Sequence, residues 1–466
     1  GHKRHFETAN KLTGTLLVSI TSDKFVKKGP GRPFFNEFLR SEMVSSLDAV
    51  SYVYINDKET PIDLIKELKP NFYCKGQDYE DFSKDITGNI KKEAEAIKKA
   101  GGKIFFTSDI QFSSSKIINN NLNSSKIMSE VKSKINDLNN FKFNIFKNLK
   151  KIENLKVAIF GEIIEDEYIY SKNLGQPSKE FIHAVERLNN EVYLGGSYAI
   201  AKNLREFCKK VDVFSAGKFQ SNLKKQIQLN QKNKINFINL DDNFAVIKKT
   251  RYLNTDKKKL FECYSYRGKE RLFKPSKNIL KKLKSKIKSY DCVIISDFGH
   301  GFFSDSLYEV IKKEAKFLSI NVQTNAGNRG YNLATKYKKT DNLLLDLPEL
   351  QLATRDNSNN VEDLTIKLSK KINSKYFAIT KGKDGIFIFN AKKKRKISLS
   401  AFEAKPLDTM GAGDSVLGIS SLLFSINAPL GVVAYISNLF GAVSTSILGH
   451  SDYIRKKEIL KSIEYG

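Results

Sequence analysis

Asp408-Thr409-Met410-Gly411-Ala412-Gly413-Asp414 stands directly before an apolar run, and its reading decides the fold of the larger part of the chain. Small residues let the backbone approach a ligand closely. At a helix start, the N–H groups of Gly411, Ala412 and Gly413 point away unpaired and, with the helix dipole, predict an anion site for a transferring phosphoryl group. Asp414 then stands beside that hole, placed to take the proton of an attacking hydroxyl. A glycine-rich string alone is weak evidence, because an ordinary turn capped by Asp has the same letters.

The pattern around the string is that of an α/β protein. KVAIFGEII (156–164) reads as a strand, and segments 290–301, 315–325, 341–350 and 375–390 each carry a strand followed by turn residues. Short alternating strands between 165 and 195 and near 244–266 predict a small antiparallel sheet set apart as a β lid. Residues 415–451 hold no Asp, Glu, Lys or Arg, but Asn427-Ala428-Pro429 divides them, so two buried helices on a sheet are expected rather than a membrane span. Lys392-Lys393-Lys394-Arg395-Lys396 lies between two short strands and is expected to be a solvated hairpin turn.

The first part of the chain alternates as well. Strands are expected at 13–21, 50–56, 70–76 and 102–108, with helices at 36–47, 60–69 and 84–101, the order of a doubly wound parallel sheet. Such sheets bind ligands beyond the carboxyl ends of their strands. From 119 the texture turns polar and rich in Asn and Lys, so residues 1–118 and 156–466 are expected as domains and 119–155 as a helical linker.

A length of 466 residues agrees with two domains, and 40% hydrophobic against 28% charged residues is a globular balance. The formal charge of +28 comes from 79 Lys plus Arg against 51 Asp plus Glu. The excess is dispersed and mostly lysine, with no groove-reading motif, so nucleic-acid binding is not expected; diffuse positive charge still attracts sugar phosphates and nucleoside triphosphates. Cys74, Cys208, Cys263 and Cys292 form no C-x-x-C pair, which disfavours a zinc site or a disulfide scaffold. Residues 1–10 hold no apolar signal core, and a soluble cytoplasmic protein is expected.

The string 408–414 resembles the signature D-T-x-G-A-G-D of the ribokinase/PfkB family of carbohydrate kinases. Gly195-Gly196-Ser197-Tyr198-Ala199-Ile200-Ala201-Lys202-Asn203 resembles that family's G-G-x-x-x-x-A-x-N element. Gly161-Glu162-Ile163-Ile164-Glu165-Asp166 resembles its opening G-D-x-x-x-D, and Thr380-Lys381-Gly382-Lys383-Asp384-Gly385 its T-x-G-x-x-G strand end. The resemblance implies a ribokinase-like domain in which Asp166, Gly195, Gly196 and Asn203 meet the sugar. Thr380, Gly382 and Gly385 would lie beside the nucleotide, Gly411, Ala412 and Gly413 would form the anion hole, and Asp414 would be the base. Glu162 and Ala199 depart from the pattern on the sugar side. No G-x-x-x-x-G-K-[ST] occurs, which excludes a P-loop kinase.

Residues 1–118 resemble the cytidylyltransferase-like family, most closely the adenylyltransferase half of the bifunctional ADP-heptose synthase family. The elements are Gly1-His2, Ser22-Asp23, Lys28 to Pro33, Lys75 to Tyr79 and Ser113-Ser114-Ser115-Lys116-Ile117-Ile118. Gly1-His2 would be the last letters of H-x-G-H, whose first part and preceding strand would lie upstream. The resemblance implies that His2 stabilises the reacting phosphorus, Lys28 and Arg32 grip a sugar phosphate, Lys75 and Asp78 face nucleotide or substrate, and Ser113, Ser114 and Ser115 hold the β- and γ-phosphates. It further implies ATP, with CTP open for the N-terminal domain, Mg²⁺ and a homodimer. No resident metal site and no membrane partner are expected. The two domains would phosphorylate a sugar or sugar phosphate and couple the sugar 1-phosphate to a nucleotide. The known fusions carry the kinase first, this chain second. A sensory N-terminal domain and a cytidylyltransferase for another surface-polysaccharide precursor stay open.

Overall fold

A computed structural model of the chain describes residues 2–26, 33, 35–76, 89–107, 138–219, 223, 226–228, 234–256, 258–328, 330–402 and 406–465. The chain divides into two compact units, Gly1–Met128 with Arg455–Gly466, and Ser129–Ile454.

The first unit runs α1 (His2–Thr13), β1 (Leu17–Thr21), α2 (Glu37–Ser45), β2 (Tyr52–Asn56), α3 (Ile62–Leu68), β3 (Phe72–Gly76), α4 (Asn89–Lys99) and β4 (Lys103–Thr107). The expected single parallel sheet is instead two parallel pairs among the described residues, β1 with β2 and β3 with β4. Ladder bonds form only within each pair, each closed by its own crossover. Helix α4 turns Ile90, Ala96 and Ile97 inward, where Ile65 and Ile97 centre a small core with Tyr73 and Ile104. The C-terminal helix, Lys456–Tyr465, belongs to this unit and buries Ile459 and Ile463.

The first described element of the second unit is α5 (Leu138–Ile152), inside the stretch expected as a helical linker. Phe141, Ile145, Leu149 and Ile152 form one buried stripe, and the Phe141 ring meets Tyr435 edge-on with centroids 5.7 Å apart. Intervening Asn and Lys hide this stripe in the composition. There follow β5 (Lys156–Gly161), β6 (Ile163–Gly175), β7 (Ala184–Gly196), α6 (Ser197–Leu204), β8 (Lys210–Ser215), β9 (Ile235–Asn239), β10 (Val246–Leu253), β11 (Lys259–Arg267), α7 (Lys277–Ile287), β12 (Cys292–Asp297), α8 (Asp305–Glu314) and β13 (Leu318–Val322). The unit continues through β14 (Lys339–Asp346), α9 (Leu347–Thr354), α10 (Val361–Ser369), β15 (Asn373–Thr380), β16 (Ile386–Asn390), β17 (Arg395–Leu399), α11 (Ala412–Ser425) and α12 (Leu430–Ser444).

Among the described residues the main sheet has the order β17-β16-β15-β14-β13-β12-β5-β8-β9. Strands β5, β8, β9 and β12 to β15 are parallel, while β16 and β17 return as antiparallel neighbours around the 391–394 turn, so the basic tract forms the expected hairpin. Alternation gives the sheet two apolar faces. Val293, Ile295, Leu343 and Phe377 pack with Leu307, Ile311, Leu350 and Leu364 of the α8, α9 and α10 layer. The opposite face is covered by α6, α11 and α12. This is where the uncharged run lies, its two helices buried along most of their length. Among the described residues no helix is long and apolar enough to cross a membrane.

The lid has the order β11-β10-β6-β7. Its hairpins, β6–β7 and β10–β11, are antiparallel as expected, but they meet through parallel β6 and β10. The lid is therefore a mixed sheet. Its two hairpins lie side by side through their leading strands, and these run in the same direction.

Candidate active site

The site is built around the start of α11. Gly411, its N-cap, has φ +76°, and a Cβ there would lie 2.9 Å from His450 Cε1, so position 411 needs glycine on both counts. Asp408 folds the loop that leads into it. Its Oδ1 accepts from Met410 N–H at 3.1 Å and from Lys259 Nζ at 2.7 Å, and its Oδ2 from Gly449 N–H at 3.1 Å. At the helix start the Ala412 N–H makes a long contact of 3.4 Å to Thr409 O, whereas the N–H groups of Gly411, Gly413 and Asp414 have no acceptor among the described residues. Of the expected trio of free donors Gly411 and Gly413 remain and Asp414 stands in for Ala412, because the turn at Thr409 claims Ala412. A Cβ at Gly413 would meet nothing within 4 Å, so the backbone there borders open space.

Asp414 follows these donors and is 6% exposed. Gln323, directly after β13, donates from Nε2 to Asp414 Oδ1 at 3.0 Å, which ties the carboxylate to the carboxyl edge of the sheet. Burial pushes the Asp414 carboxyl up to about 6, while His450 works against the rise and Asp166 adds to it. A carboxylate poised there is ionised at neutral pH yet basic enough to accept a proton.

The residues expected on the sugar side lie on the lid strands β6 and β7 and on α6, which follows them. Asp166 of β6 is 2% exposed and pairs through Oδ1 with Arg251 Nη1, while its Oδ2 lies 3.3 Å from His450 Nε2. Burial opposes a charge there, but Arg251 and His450 outweigh it and hold the Asp166 carboxyl well below the usual carboxylate range. Arg251 Nε in turn lies 2.6 Å from Glu262 Oε2. Gly195 lets Asp166 sit where it does, since a Cβ at 195 would be 1.8 Å from Asp166 Oδ2. Gly196, with φ +62°, turns β7 into α6. Asn203 is engaged at both ends of its amide, with Nδ2 donating to Ser415 Oγ at 2.9 Å and Oδ1 accepting from Ile454 N–H at 3.1 Å. Glu162 accepts from the N–H groups of Phe298, His300 and Phe302 at 3.1 to 3.3 Å, so it shapes the loop after β12.

Thr380 ends β15, in register with Asp346 at the end of β14. Gly382 and Gly385, with φ +56° and +87°, form the turn that follows, and a Cβ at Gly385 would strike Leu399 O at 2.0 Å. Beside them Asp346 and Glu349 make a reciprocal cap at the start of α9, and Glu349 Oε1 also accepts from Thr324 N–H at 3.1 Å. Burial and the neighbouring Asp346 push the Glu349 carboxyl up. The sequence reading missed Gln323, Arg251, His450 and Glu349. Only Glu349 carries a local signal, the D-x-x-E spacing of a helix cap.

In the first unit His2 opens α1. Lys75, expected near nucleotide or substrate, lies 3.0 Å from Glu93 Oε2 and 5.2 Å from the Tyr73 ring centroid. Lys28, Arg32, Asp78, Ser113, Ser114 and Ser115 lie outside the described residues. A cleft of about 350 Å³ lined by Ser22, Asp23, Lys24, Asn36, Glu37, Phe38 and Asp57 opens at the carboxyl ends of β1 and β2, where ligands of parallel sheets bind.

Comparison with known proteins places these geometries. Among curated proteins, the chain is 40% identical over 106 residues to the bifunctional protein HldE of Nitratiruptor, 22% of this chain and 22% of that protein. It is 39% identical over 121 residues to the bifunctional protein HldE of Campylobacter jejuni, 25% of this chain and 24% of the other. The match thus spans about a quarter or less of the length of these relatives. Phosphofructokinase-2 from Escherichia coli in complex with fructose-6-phosphate is similar in structure, with a TM-score of 0.51 at 12% identity over 67% of this chain and 99% of the other. A ribokinase from Thermotoga maritima gives 0.50 at 16% identity over 66% and 99%. At such identities the likeness speaks for the fold. The model of the pfkB family carbohydrate kinase matches residues 154–425, more than half of the chain and inclusive of Asp414 with its donors, and the chain belongs to that family.

Proposed function

We propose that this chain activates a sugar for nucleotide-sugar synthesis. The second unit transfers the γ-phosphoryl group of ATP to a sugar or sugar phosphate, and the first couples the resulting sugar 1-phosphate to a nucleotide with release of pyrophosphate. The observation that carries the kinase half is the buried Asp414 carboxylate set beside the free N–H groups of Gly411 and Gly413. In that arrangement Asp414 takes the proton of the attacking hydroxyl as the donors receive charge developing on the phosphoryl oxygens. The bond to the β-phosphate oxygen breaks as the new ester forms, and ADP leaves.

Mg²⁺ carried by a triphosphate keeps several waters and needs few protein oxygens. The carboxylates of Asp346 and Glu349, held together at the edge of β14, are the groups that would face it, and the ion would neutralise the departing phosphates. The transferase half rests on the likeness to proteins named bifunctional HldE and on the motif order in residues 1–118. ADP-heptose is the product this likeness favours, with a heptose 7-phosphate as the kinase substrate. The kinase product is then a heptose 1,7-bisphosphate, and a separate phosphatase must hydrolyse its 7-phosphate before the transferase takes the 1-phosphate. The reading is tested by supplying ATP and Mg²⁺ with a panel of sugars and sugar phosphates and following ADP, then adding sugar 1-phosphates with ATP or CTP and following pyrophosphate. ADP release with no acceptor above background would contradict the kinase half; absence of pyrophosphate with every sugar 1-phosphate would contradict the transferase half and favour a sensory first unit.

A further inference from the structure

His450, in the loop after α12, lies where the sugar side meets the phosphoryl cradle, and it is 7% exposed. Its Nε2 faces Asp166 Oδ2 at 3.3 Å, whereas Arg251 meets the other carboxylate oxygen. A carboxylate only accepts, so Nε2 carries the proton of that contact. Two glycines from distant parts of the chain border the same ring. A Cβ at Gly195, near the end of β7, would lie 2.8 Å from His450 Cδ2, and one at Gly411, the cap of α11, 2.9 Å from Cε1. The imidazole thus fills the space between the sugar element and the cradle, and a side chain on either backbone would displace it. The loop that bears it is fastened as well. Lys202 Nζ donates to His450 O at 2.8 Å, Gly449 N–H to Asp408 Oδ2 at 3.1 Å, and Ile454 N–H to Asn203 Oδ1 at 3.1 Å. A ring locked by packing and by its loop's hydrogen bonds can hold what it touches to within about 0.5 Å.

We propose that His450 is a positioning residue for phosphoryl transfer, holding Asp166 Oδ2 toward the acceptor and setting its distance from the Gly411 end of α11. The inference rests on the kinase reading above and adds to it a residue outside every kinase motif of the sequence. Held by Arg251 at Oδ1 alone, the Asp166 carboxylate could swing about that contact. With Oδ2 engaged too, its plane is set, and each oxygen keeps a lone pair for a sugar hydroxyl. Transfer needs the acceptor oxygen and the phosphorus about 3–3.5 Å apart and aligned, and a misplacement of about 1 Å costs about 10²-fold in rate. A ring that touches both the sugar-holding carboxylate and the helix cap fixes that separation.

The test is a double-mutant cycle on the full chain, with the acceptor that the sugar panel identifies. His450→Leu removes the N–H and keeps an apolar filling between the two glycines, and His450→Gln returns a donor at similar reach. His450→Leu is expected to lower kcat/KM for the acceptor by about 10- to 100-fold, while KM for ATP changes by less than about twofold. His450→Gln should recover most of the loss. On an Asp166→Asn background, His450→Leu should cost less than about threefold more, because the ring acts through that carboxylate. Full additivity of the two substitutions, equal losses in the Leu and Gln variants, or an unchanged acceptor kcat/KM in His450→Leu overturns the proposal. Denaturant unfolding of the same set reads the cycle without any acceptor. There the two substitutions are expected to be coupled by about tenfold or more in the unfolding constant, and independence overturns the proposal. If no sugar of any kind is phosphorylated, the kinase reading fails by itself, and the unfolding cycle still decides whether His450 holds Asp166.

Discussion

Asp414→Asn moves activity and stability in opposite directions, and both magnitudes follow from the same buried group. In the folded protein the carboxyl sits at about 6 against an ordinary 3.8. A raised carboxyl pKa means that the native state holds its proton more tightly than the unfolded chain does. The ionisation cost is therefore absent below the unfolded value, grows between the two values and is complete above the folded one. The difference amounts to about 3 kcal/mol. Asn keeps an Oδ1 for Gln323 and never ionises, so at about pH 8 the variant should be the more stable by up to about 3 kcal/mol, and the advantage should vanish near pH 4. Turnover should fall by about 10²- to 10⁴-fold, the share of a positioned general base. Thermal unfolding at the two pH values needs no substrate, and ADP release with the acceptor found by the panel gives the rate. A stability difference that ignores pH, or turnover within about tenfold of wild type, would refute the assignment.

Arg251→Met leaves Asp166 buried without its guanidinium and should cost about 3–5 kcal/mol near neutral pH, a deficit that shrinks on acidification as the stranded carboxylate takes up a proton; denaturant unfolding at two pH values checks it. Gly195→Ala drives a methyl into Asp166 Oδ2, which should raise KM for the sugar more than it lowers kcat and cost about 1–3 kcal/mol, read from steady-state kinetics and the melting temperature. Phe141→Ala removes the ring that meets Tyr435 and should destabilise the second unit by about 3–5 kcal/mol in a melting experiment; a neutral result would return α5 to the status of a linker.

Much of this was legible because the fold's periodicity is local. Alternating apolar strands with amphipathic or uncharged helices announced the α/β layers, and the 408–414 string announced the glycine-capped helix start with its free N–H groups, since a positive φ at the cap and an open backbone demand small residues in sequence. Other parts depend on distance in space. Asp166 meets Arg251 and His450 across the fold, and nothing in a window around any of them signals the triad. Gln323 looks like a loop residue until the sheet edge brings it to Asp414. The lid's parallel seam likewise follows from two hairpins lying side by side, a tertiary outcome that strand patterns do not encode.

The central claim is that backbone donors at the start of α11 receive the moving phosphoryl group while Asp414 receives the proton. A crystal structure with ADP, aluminium fluoride and the acceptor sugar tests it directly. The account predicts the planar fluoride within about 3 Å of the Gly411 and Gly413 nitrogens and the acceptor oxygen within about 3 Å of an Asp414 carboxylate oxygen. A fluoride bound elsewhere on the sheet edge, or an acceptor oxygen turned away from Asp414, would contradict it.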